Sequence, residues 1–212
     1  MAIDFTSHFI LHLIPFFDRF GYELLLPKHQ FRKSQPNGFQ MIIPALSVYE
    51  EVCLVELNLG VRLDAVEEFV GQFTNILQMN RADTATLLTS MGRLQGKKYL
   101  RFQIKDLQEL NSVCLQVQDF MEDKGFEFLD QAMELAYLDV LINGQSHIPS
   151  PYIYNQTYRC MRGLYIAKLN QNPSYQRIVQ DYKTLVAQSN ATDQQRKAFE
   201  RICQYLEVFS VN

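Results

Sequence analysis

The sequence predicts an α+β protein, in which an antiparallel sheet of about four strands packs with helices and is followed by a helical C-terminal half. Two observations predict this class. Between residues 22 and 63 the apolar side chains recur at every second position, as in strands with one buried face. From residue 106 onward they recur every three or four positions, as in amphipathic helices. We therefore expect an α+β domain over residues 1–105 and a helical region over residues 106–212, packed together as one compact unit.

The N-terminal stretch DFTSHFILHLIPFF predicts a first helix from about Asp4 to Phe20. Its apolar face follows helical spacing and contains Phe5, Phe9, Leu13, Phe16 and Phe20. Pro15 lies within this helix. Because proline lacks a backbone N–H and clashes with the preceding turn, we expect a kink or a break near residues 11–14. Gly21 is a typical C-terminal stop for such a helix.

Extended segments follow on both sides of the tripeptide PNG at residues 36–38. Asn-Gly between extended runs predicts a hairpin, because both residues tolerate positive φ. The clearest strand is VCLVELNLGVRL, over residues 52–63, in which every second side chain is apolar. The alternate positions Glu56, Asn58 and Arg62 are expected on a wetter face of the sheet.

The next segment predicts two helices and one more strand. Asp64 is expected to cap a helix over residues 65–77, whose first turn is acidic, as the helix dipole favours. A short helix is expected near residues 84–91. The stretch KKYLRFQI, at residues 97–104, predicts a fourth strand.

The C-terminal half predicts amphipathic helices throughout. Two runs of apolar residues lie on either side of Gly125, which predicts an antiparallel helix pair. The first run contains Leu107, Leu110, Cys114, Val117 and Met121, and the second contains Phe126, Leu129, Met133, Tyr137 and Val140. Further helices are expected after the proline-rich loop SHIPSPY at residues 146–152.

Composition excludes several classes of protein. The net charge of −3 and the pI near 5.8 argue against a nucleic-acid binder, which is expected to be basic. Asp4 stands where a signal peptide has basic residues, and no apolar run reaches the roughly 18 residues of a membrane span. The four cysteines, Cys53, Cys114, Cys160 and Cys203, are scattered without a C-x-x-C pair. We therefore expect buried free thiols in a cytoplasmic protein that does not enter a membrane.

Charge is segregated in the middle of the chain. Residues 106–139 hold nine acids against the single base Lys124, whereas residues 84–105 hold five bases and no acid. In one interpretation the two stretches neutralise each other or form separate solvated faces. In the other, an exposed acidic surface steers a basic binding protein toward the molecule. The candidate contacts of that surface are Glu122, Asp123 and Glu127.

Asp4, His8 and His12 recur at four-residue spacing and share one face of the predicted first helix. Two imidazoles and a carboxylate in this arrangement can hold a transition-metal ion. The alternative interpretation is structural, with Asp4 at the start of the helix and surface histidines beside it. A catalytic zinc site needs a further ligand, and only His29 and His147 remain as histidine candidates.

A second candidate cluster lies in the stretch PYIYNQTYRCMRGLY, which interleaves tyrosines with arginines. Such a pattern can stack on a base or bind a phosphate, a carboxylate or a peptide. Its candidate binding residues are Tyr154, Tyr158, Arg159 and Arg162. The alternative is that Tyr158 and its helical neighbours form a packing face, with the arginines outside it.

The chain contains no nucleophile elbow and no dinucleotide fingerprint, and no cofactor is expected. We therefore expect a non-catalytic protein-interaction or binding module of the adaptor or immunity type, whose binding partner carries a basic surface. The alternative function is a metal-dependent hydrolase, in which His8 and His12 hold the ion and a bound water is the nucleophile. The order of elements is similar in outline to several uncharacterised bacterial domains, a likeness that implies no active site.

Overall fold

The predicted α+β class is confirmed in the computed structural model, which describes residues 4–50, 52–74 and 78–210. The described residues form a six-stranded sheet and a helical C-terminal half. The strands are β1 (Glu23–Leu25), β2 (Gln30–Gln35), β3 (Gly38–Val48), β4 (Cys53–Leu63), β5 (Leu87–Ser90) and β6 (Phe102–Ile104). The helices are α1 (Phe5–Asp18), α2 (Asp64–Gly71), α3 (Met91–Leu94), α4 (Leu107–Phe120), α5 (Phe126–Ala132), α6 (Leu135–Asn143), α7 (Gln156–Leu169), α8 (Tyr175–Gln188) and α9 (Asp193–Val208).

The chain divides into two compact units, each assembled from two separate stretches of sequence. The first unit comprises the chain up to Val61 together with residues 88–130. The second unit comprises residues 62–87 together with residues 131–212. The sequence predicts a single boundary after residue 105 instead. The local pattern changes there, but compactness depends on which stretches contact each other in space.

The predicted hairpin is present between β2 and β3, which pair as antiparallel neighbours in a sheet ordered β1-β2-β3-β4-β5, with β6 also paired to β4. The pair of Gln35 with Gly38 closes the hairpin, so its loop consists of Pro36 and Asn37. Of the Asn-Gly pair, only Gly38 has a positive φ, of 149°. Asn37 keeps a negative φ, because a proline at the first loop position favours a type I turn, in which neither central φ is positive.

Strand β4 alternates as predicted. Its buried face is formed by Cys53, Val55, Leu57, Leu59, Val61 and Leu63. On the other face Glu56 and Asn58 are half-buried, but Arg62 is only 5% exposed, so its expected place on the wetter face is wrong. The Arg62 guanidinium donates from Nε to Asp64 Oδ1 at 2.6 Å and from Nη1 to Thr84 Oγ1 at 2.6 Å. Asp64 is only two residues away, whereas Thr84 comes from a separate segment, and both acceptors offset the cost of burying the charge.

Helix α1 continues to Asp18 without interruption at Pro15, so the expected break does not occur. Pro15 lies in the last turn, where its missing N–H removes a single intrahelical hydrogen bond. Gly21 ends the helix as predicted. It has a φ of 80°, and the N–H of Tyr22 donates to Phe17 O at 3.1 Å. The buried face consists of Phe9, Ile10, Leu13, Phe16 and Phe17.

The segment after β4 departs most from the sequence prediction. Helix α2 begins at Asp64 but ends at Gly71, and the predicted continuation over residues 75–77 lies outside the described residues. The helix expected near residues 84–91 is wrong, since Leu87–Ser90 forms strand β5 and only the four residues of α3 are helical. Pairing with β4 supplies β5 with hydrogen bonds. A helix of only eight residues, as predicted over 84–91, is not stable by itself.

The strand predicted over residues 97–104 is shorter than expected. Only Phe102–Ile104 forms strand β6, which is antiparallel to β4. The residues before it form a turn instead, because Gly96 has a φ of 73° and the N–H of Lys97 donates to Gly92 O at 2.8 Å.

Gly125 does not separate an antiparallel helix pair, so that prediction is wrong. Helices α4 and α5 continue into each other through a π-helical turn over Met121–Gly125, at whose end a backbone N–H donates to the carbonyl five residues earlier. A π turn adds one residue to the helical repeat, which explains why the apolar pattern changes phase at Gly125. The chain leaves the helix only after Ala132, and Val140 in α6 is 72% exposed rather than part of an apolar face.

Two expectations from composition concern thiols and membranes. All four cysteines are buried free thiols, as predicted. Burial raises the pKa of Cys114 and of Cys160 to about 12, so these thiols are protonated near neutral pH and are poor nucleophiles. In the part of the chain that the structure describes, no helix combines the length and the apolar character needed to cross a membrane.

Candidate functional site

Within the first unit, a run of acidic side chains is exposed along the continuous helix that α4, the π turn and the start of α5 form. Its central members, which we call the acidic surface, are Asp119, Glu122, Asp123 and Glu127. The start of this helix is held by reciprocal contacts. Asp106 Oδ1 accepts from the N–H of Glu109 at 2.8 Å, and Glu109 Oε2 accepts from the N–H of Lys105 at 2.7 Å. These contacts fix where α4 begins and therefore which side chains project from it.

The π turn lies at the centre of the acidic surface. Met121 and Gly125 at its two ends are buried, whereas Glu122, Asp123 and Lys124 between them are exposed. Lys124 Nζ lies 3.7 Å from Asp123 Oδ2 in an exposed pair, which neutralises the acids only weakly. π turns occur frequently at functional sites. This turn therefore favours a functional role for the segment in addition to its packing role.

A groove of about 450 Å³ lies beside the acidic surface in the first unit. The apolar part of its lining consists of Met91, Leu100, Phe102 and Phe120. The polar and charged part consists of Gln95, Lys97, Gln116, Asp119 and Asp123. We call it the α3–α4 groove. Because Asp119 and Asp123 belong to both features, the groove and the acidic surface form one candidate binding site.

One wall of the groove is held by close packing between α3 and the loop that follows it. A Cβ atom placed on Gly92 would lie 2.7 Å from Leu100 Cβ, closer than real Cβ atoms approach. Glycine is therefore needed for the loop to pass this close to the helix. Ser90 Oγ caps α3 by accepting from the N–H of Arg93 at 3.4 Å.

Two bases of the stretch at residues 84–105 have different surroundings. Arg101 pairs with Glu56 on β4, with Nε 3.3 Å from Oε2, and Lys97 lines the groove together with Asp119 and Asp123. Neutralisation of Arg101 thus comes from the sheet, whereas the carboxylates of the acidic surface are exposed.

Arg159 of the predicted tyrosine–arginine cluster is 1% exposed, so its expected place outside the packing face is wrong. Its guanidinium donates to backbone carbonyls at and beyond the end of α6. Nε and Nη2 donate to Ile142 O at 3.0 and 2.8 Å, Nη2 to Gln145 O at 2.9 Å, and Nη1 to Ile148 O at 2.6 Å. Nη1 also donates to Gln156 Oε1 at 3.2 Å. The guanidinium therefore caps α6 and holds the chain that follows it.

Arg162 forms an ion pair with Glu67 of α2 within the second unit. Its Nε lies 2.7 Å from Glu67 Oε1, and its Nη2 lies 2.9 Å from Oε2, in a bidentate arrangement. Burial alone raises the pKa of Glu67, but the guanidinium and the hydroxyls of Thr84 and Thr86 lower it more strongly, so the pKa falls below its usual value of 4.5. The carboxylate is therefore ionised although it is buried, and Arg162 supplies the counter-charge.

The two tyrosines of the cluster differ in exposure. Tyr154 is 52% exposed, and Tyr158 is half-buried with its ring centroid 5.4 Å from the guanidinium carbon of Arg162. Arg159 and Arg162 are both bound to groups of the protein itself.

A buried polar network in the second unit has no counterpart in the sequence analysis. Asp139 is 1% exposed, and its Oδ1 accepts from Asn143 Nδ2 at 2.6 Å. Its Oδ2 accepts from the Nδ2 atoms of Asn170 and Asn172 at 2.7 and 2.8 Å. The hydroxyl of Tyr182 donates to Asn143 Oδ1, and burial raises the pKa of this tyrosine. Amide donors satisfy the carboxylate, so the network stabilises the unit. The signal in the sequence was Asn143, a poor helix former at the end of the apolar helical run LAYLDVLIN, which indicates a buried polar contact.

Gly163 of α7 lies against this network. A Cβ atom placed on Gly163 would lie 2.5 Å from Asn143 Oδ1 and 2.8 Å from Tyr182 Cε2. Gly163→Ala is therefore expected to lower the free energy of unfolding by about 1–3 kcal/mol, as overpacking does, and chemical denaturation would measure the loss. Gly71→Ala is the matched control, because nothing lies within 4 Å of its Cβ position. Equal stability changes in the two variants would contradict the expected clash.

The stripe of Asp4, His8 and His12 lies at the start of α1. Asp4 is the N-cap, since its Oδ1 accepts from the N–H of Ser7 at 3.1 Å and its Oδ2 accepts from Ser7 Oγ at 2.6 Å. These hydrogen bonds lower the pKa of Asp4, while His8 and His12 are exposed. Among residues 4–50, 52–74 and 78–210, no group of three or more His, Cys, Asp or Glu side chains is placed to hold a metal ion.

The acidic surface and the α3–α4 groove are both exposed features of the first unit. No protein-family model, no curated protein and no solved structure matches the chain.

Proposed function

We propose that the protein is a non-catalytic protein-interaction module of the adaptor or immunity type, acting in the cytoplasm, whose acidic surface binds a protein with a basic surface. The observation that carries this proposal is the exposure of the acidic surface on one continuous helix. Like charges at neighbouring helical positions destabilise a helix, so folding alone does not account for this concentration of acids. Recognition of an oppositely charged surface does account for it.

Charge concentrated in this way acts before the two proteins touch. A surface of one sign accelerates encounter with an oppositely charged protein and disfavours binding to surfaces of the same sign. Phosphate backbones fall in the disfavoured class, which argues against a nucleic-acid ligand. Because exposed charges are screened beyond about 8 Å at physiological ionic strength, binding is expected to weaken as salt is added.

Reversing the acidic surface is expected to reduce recovery of the basic protein from a low-salt cell extract by at least about tenfold, because attractive contacts become repulsive. The test variant carries Glu122→Lys, Asp123→Lys and Glu127→Lys. The control variant changes the net charge equally at exposed positions of the second unit and carries Glu68→Lys, Glu200→Lys and Glu207→Lys. Quantitative mass spectrometry of the retained proteins gives the comparison, and circular dichroism checks that both variants are folded.

A basic protein that is retained by the wild type and by the control, but not by the test variant, supports the proposal. Equal retention by all three proteins would rule out the acidic surface as the binding site. Equal loss from both variants would show that only the overall charge matters, which also contradicts the proposal.

A further inference from the structure

We infer that the α3–α4 groove binds a leucine or phenylalanine side chain from a segment of the binding protein in which lysines or arginines flank that side chain. This inference rests on the proposed function, because Asp119 and Asp123 belong to both the groove and the acidic surface. It adds the chemistry of the recognised segment, which is an apolar anchor beside positive charge.

The groove has the lining that an apolar anchor needs. Met91 and Phe120 are buried within this lining, whereas Leu100 and Phe102 are half-buried and still present apolar surface to water. Covering that surface is favourable in proportion to the apolar area removed from water. The volume of about 450 Å³ is sufficient for one large side chain. Tyr99, next to Leu100, is 77% exposed and is of a residue type enriched at protein interfaces.

The charged part of the lining determines which residues flank the anchor. Asp119 and Asp123 are four residues apart on the helix, and both line the groove, so a lysine or arginine next to the anchor can contact either carboxylate. Glu122 and Glu127 extend this preference along the exposed helix. Lys97, in the loop after α3, disfavours positive charge near that loop. The positive residues of the segment are therefore expected beside α4.

The groove is formed before any ligand arrives. The loop after α3 is held by the N–H of Lys97, which donates to Gly92 O at 2.8 Å, and by the close approach of Leu100 to Gly92. Binding to a preformed site does not include the entropic cost of ordering the residues that line it. A short segment with one apolar anchor is therefore sufficient to show a preference for this site.

Three synthetic peptides test the inference. They have the sequence Lys-Lys-X-Lys-Lys with blocked ends, and X is Leu, Phe or Ala. Isothermal titration calorimetry at low salt measures their binding to the full chain. The wild type is expected to bind the Leu and Phe peptides at least about tenfold more tightly than the Ala peptide, because only the larger side chains fill the groove.

Two tryptophan variants locate the preference. Gln116 is exposed and lines the groove, so the indole of Gln116→Trp is expected to occupy the groove and remove the preference for Leu and Phe over Ala. Asn111 is exposed on the same helix but is not part of the lining, so Asn111→Trp is expected to keep that preference. Equal loss of preference in both variants would overturn the inference.

The remaining outcomes separate the inference from the proposed function. If the wild type binds all three peptides equally, and reversal of the acidic surface abolishes this binding, the groove inference is overturned while the proposed function is supported. If the Gln116→Trp variant still prefers the Leu and Phe peptides over the Ala peptide, the groove inference is overturned, because the preference then arises elsewhere. Binding that is absent, or that reversal of the acidic surface leaves unchanged, counts against both.

Discussion

Replacing Arg162 with methionine is expected to lower the free energy of unfolding by about 3–5 kcal/mol, because the change leaves the Glu67 carboxylate buried without its counter-charge. The Glu67 side chain is 2% exposed and that of Arg162 is 12% exposed, so water cannot replace the guanidinium. The substitution also removes two charge-assisted hydrogen bonds from that carboxylate. Urea unfolding at neutral pH, followed by circular dichroism, would measure the loss from the midpoint and slope.

The cost of Arg162→Met is expected to shrink as the pH falls. In the wild type the pKa of Glu67 lies below its usual value of 4.5, so the pair contributes stability that is fully present above that value and is lost as the pH falls through the lower pKa of the folded state. In the variant, burial without the guanidinium raises the pKa of Glu67, so protonation relieves the penalty as the pH falls. The difference in unfolding free energy between the two proteins should be largest near neutral pH and smallest in acid.

Two further variants separate the ion pair from a simple loss of packing. Glu68→Gln changes the exposed neighbour of Glu67 and is expected to stay within about 0.5 kcal/mol of the wild type. The double variant Glu67→Met/Arg162→Met removes both buried charges and is expected to recover much of the stability that the single variant loses. A double variant no more stable than Arg162→Met alone would contradict the role assigned to the unpaired carboxylate.

Arg159→Met is also expected to cost about 3–5 kcal/mol of unfolding free energy, since it removes several hydrogen bonds made by a buried charged group, each of which contributes about 1.5–3 kcal/mol. The carbonyls of Ile142, Gln145 and Ile148 would all lose the guanidinium as a donor. Ile142 O would keep the hydroxyl of Tyr182, at 3.1 Å, and Gln145 O would keep the N–H of Ile148, at 3.4 Å. Methionine fills a similar volume but donates no hydrogen bond. Urea unfolding gives the free energy, and hydrogen exchange would show faster opening at the end of α6.

Two comparisons test whether burial decides this cost. Arg159→Lys keeps the charge but offers fewer donors without the planar fork, so its stability should lie between those of the wild type and Arg159→Met. Arg196 of α9 donates to Val186 O and Ser189 O at the end of α8, both at 2.9 Å, but it is only half-buried. Water can replace its bonds, so Arg196→Met is expected to cost about 1 kcal/mol. An Arg159→Met loss no larger than this would contradict the argument from burial.

The two arginines of α7 show why the tyrosine–arginine pattern predicted a ligand site. Arginines near tyrosines look alike in sequence whether they bind a ligand or a buried group of the protein. Glu67, which pairs with Arg162, lies 95 positions earlier in the chain. The acceptors of Arg159 are backbone carbonyls, which no residue type reveals. Neither contact has a local signal, so only the folded structure could assign these side chains to stability.

The candidate binding site was predictable in part. The acids of the acidic surface are a local property of the sequence, and charged side chains are normally exposed. The groove was not predictable, because Leu100, Phe102 and Phe120 have the same apolar character as residues of the core. The partial exposure of Leu100 and Phe102 depends on the turn at Gly96 and on the approach of Leu100 to Gly92. These contacts form only when the loop and α4 come together.

By itself the sequence determined the α+β class, the β2–β3 hairpin, the alternation of β4 and the helical C-terminal half, because periodicity and turn residues act over a few neighbouring positions. Only the tertiary structure decided that residues 87–90 form a strand, that Arg62, Arg159 and Arg162 are held in internal contacts, and that each compact unit combines two stretches of the chain. Strand pairing and buried charge both need acceptors or donors from distant segments. Their free energy therefore depends on contacts that no local pattern encodes.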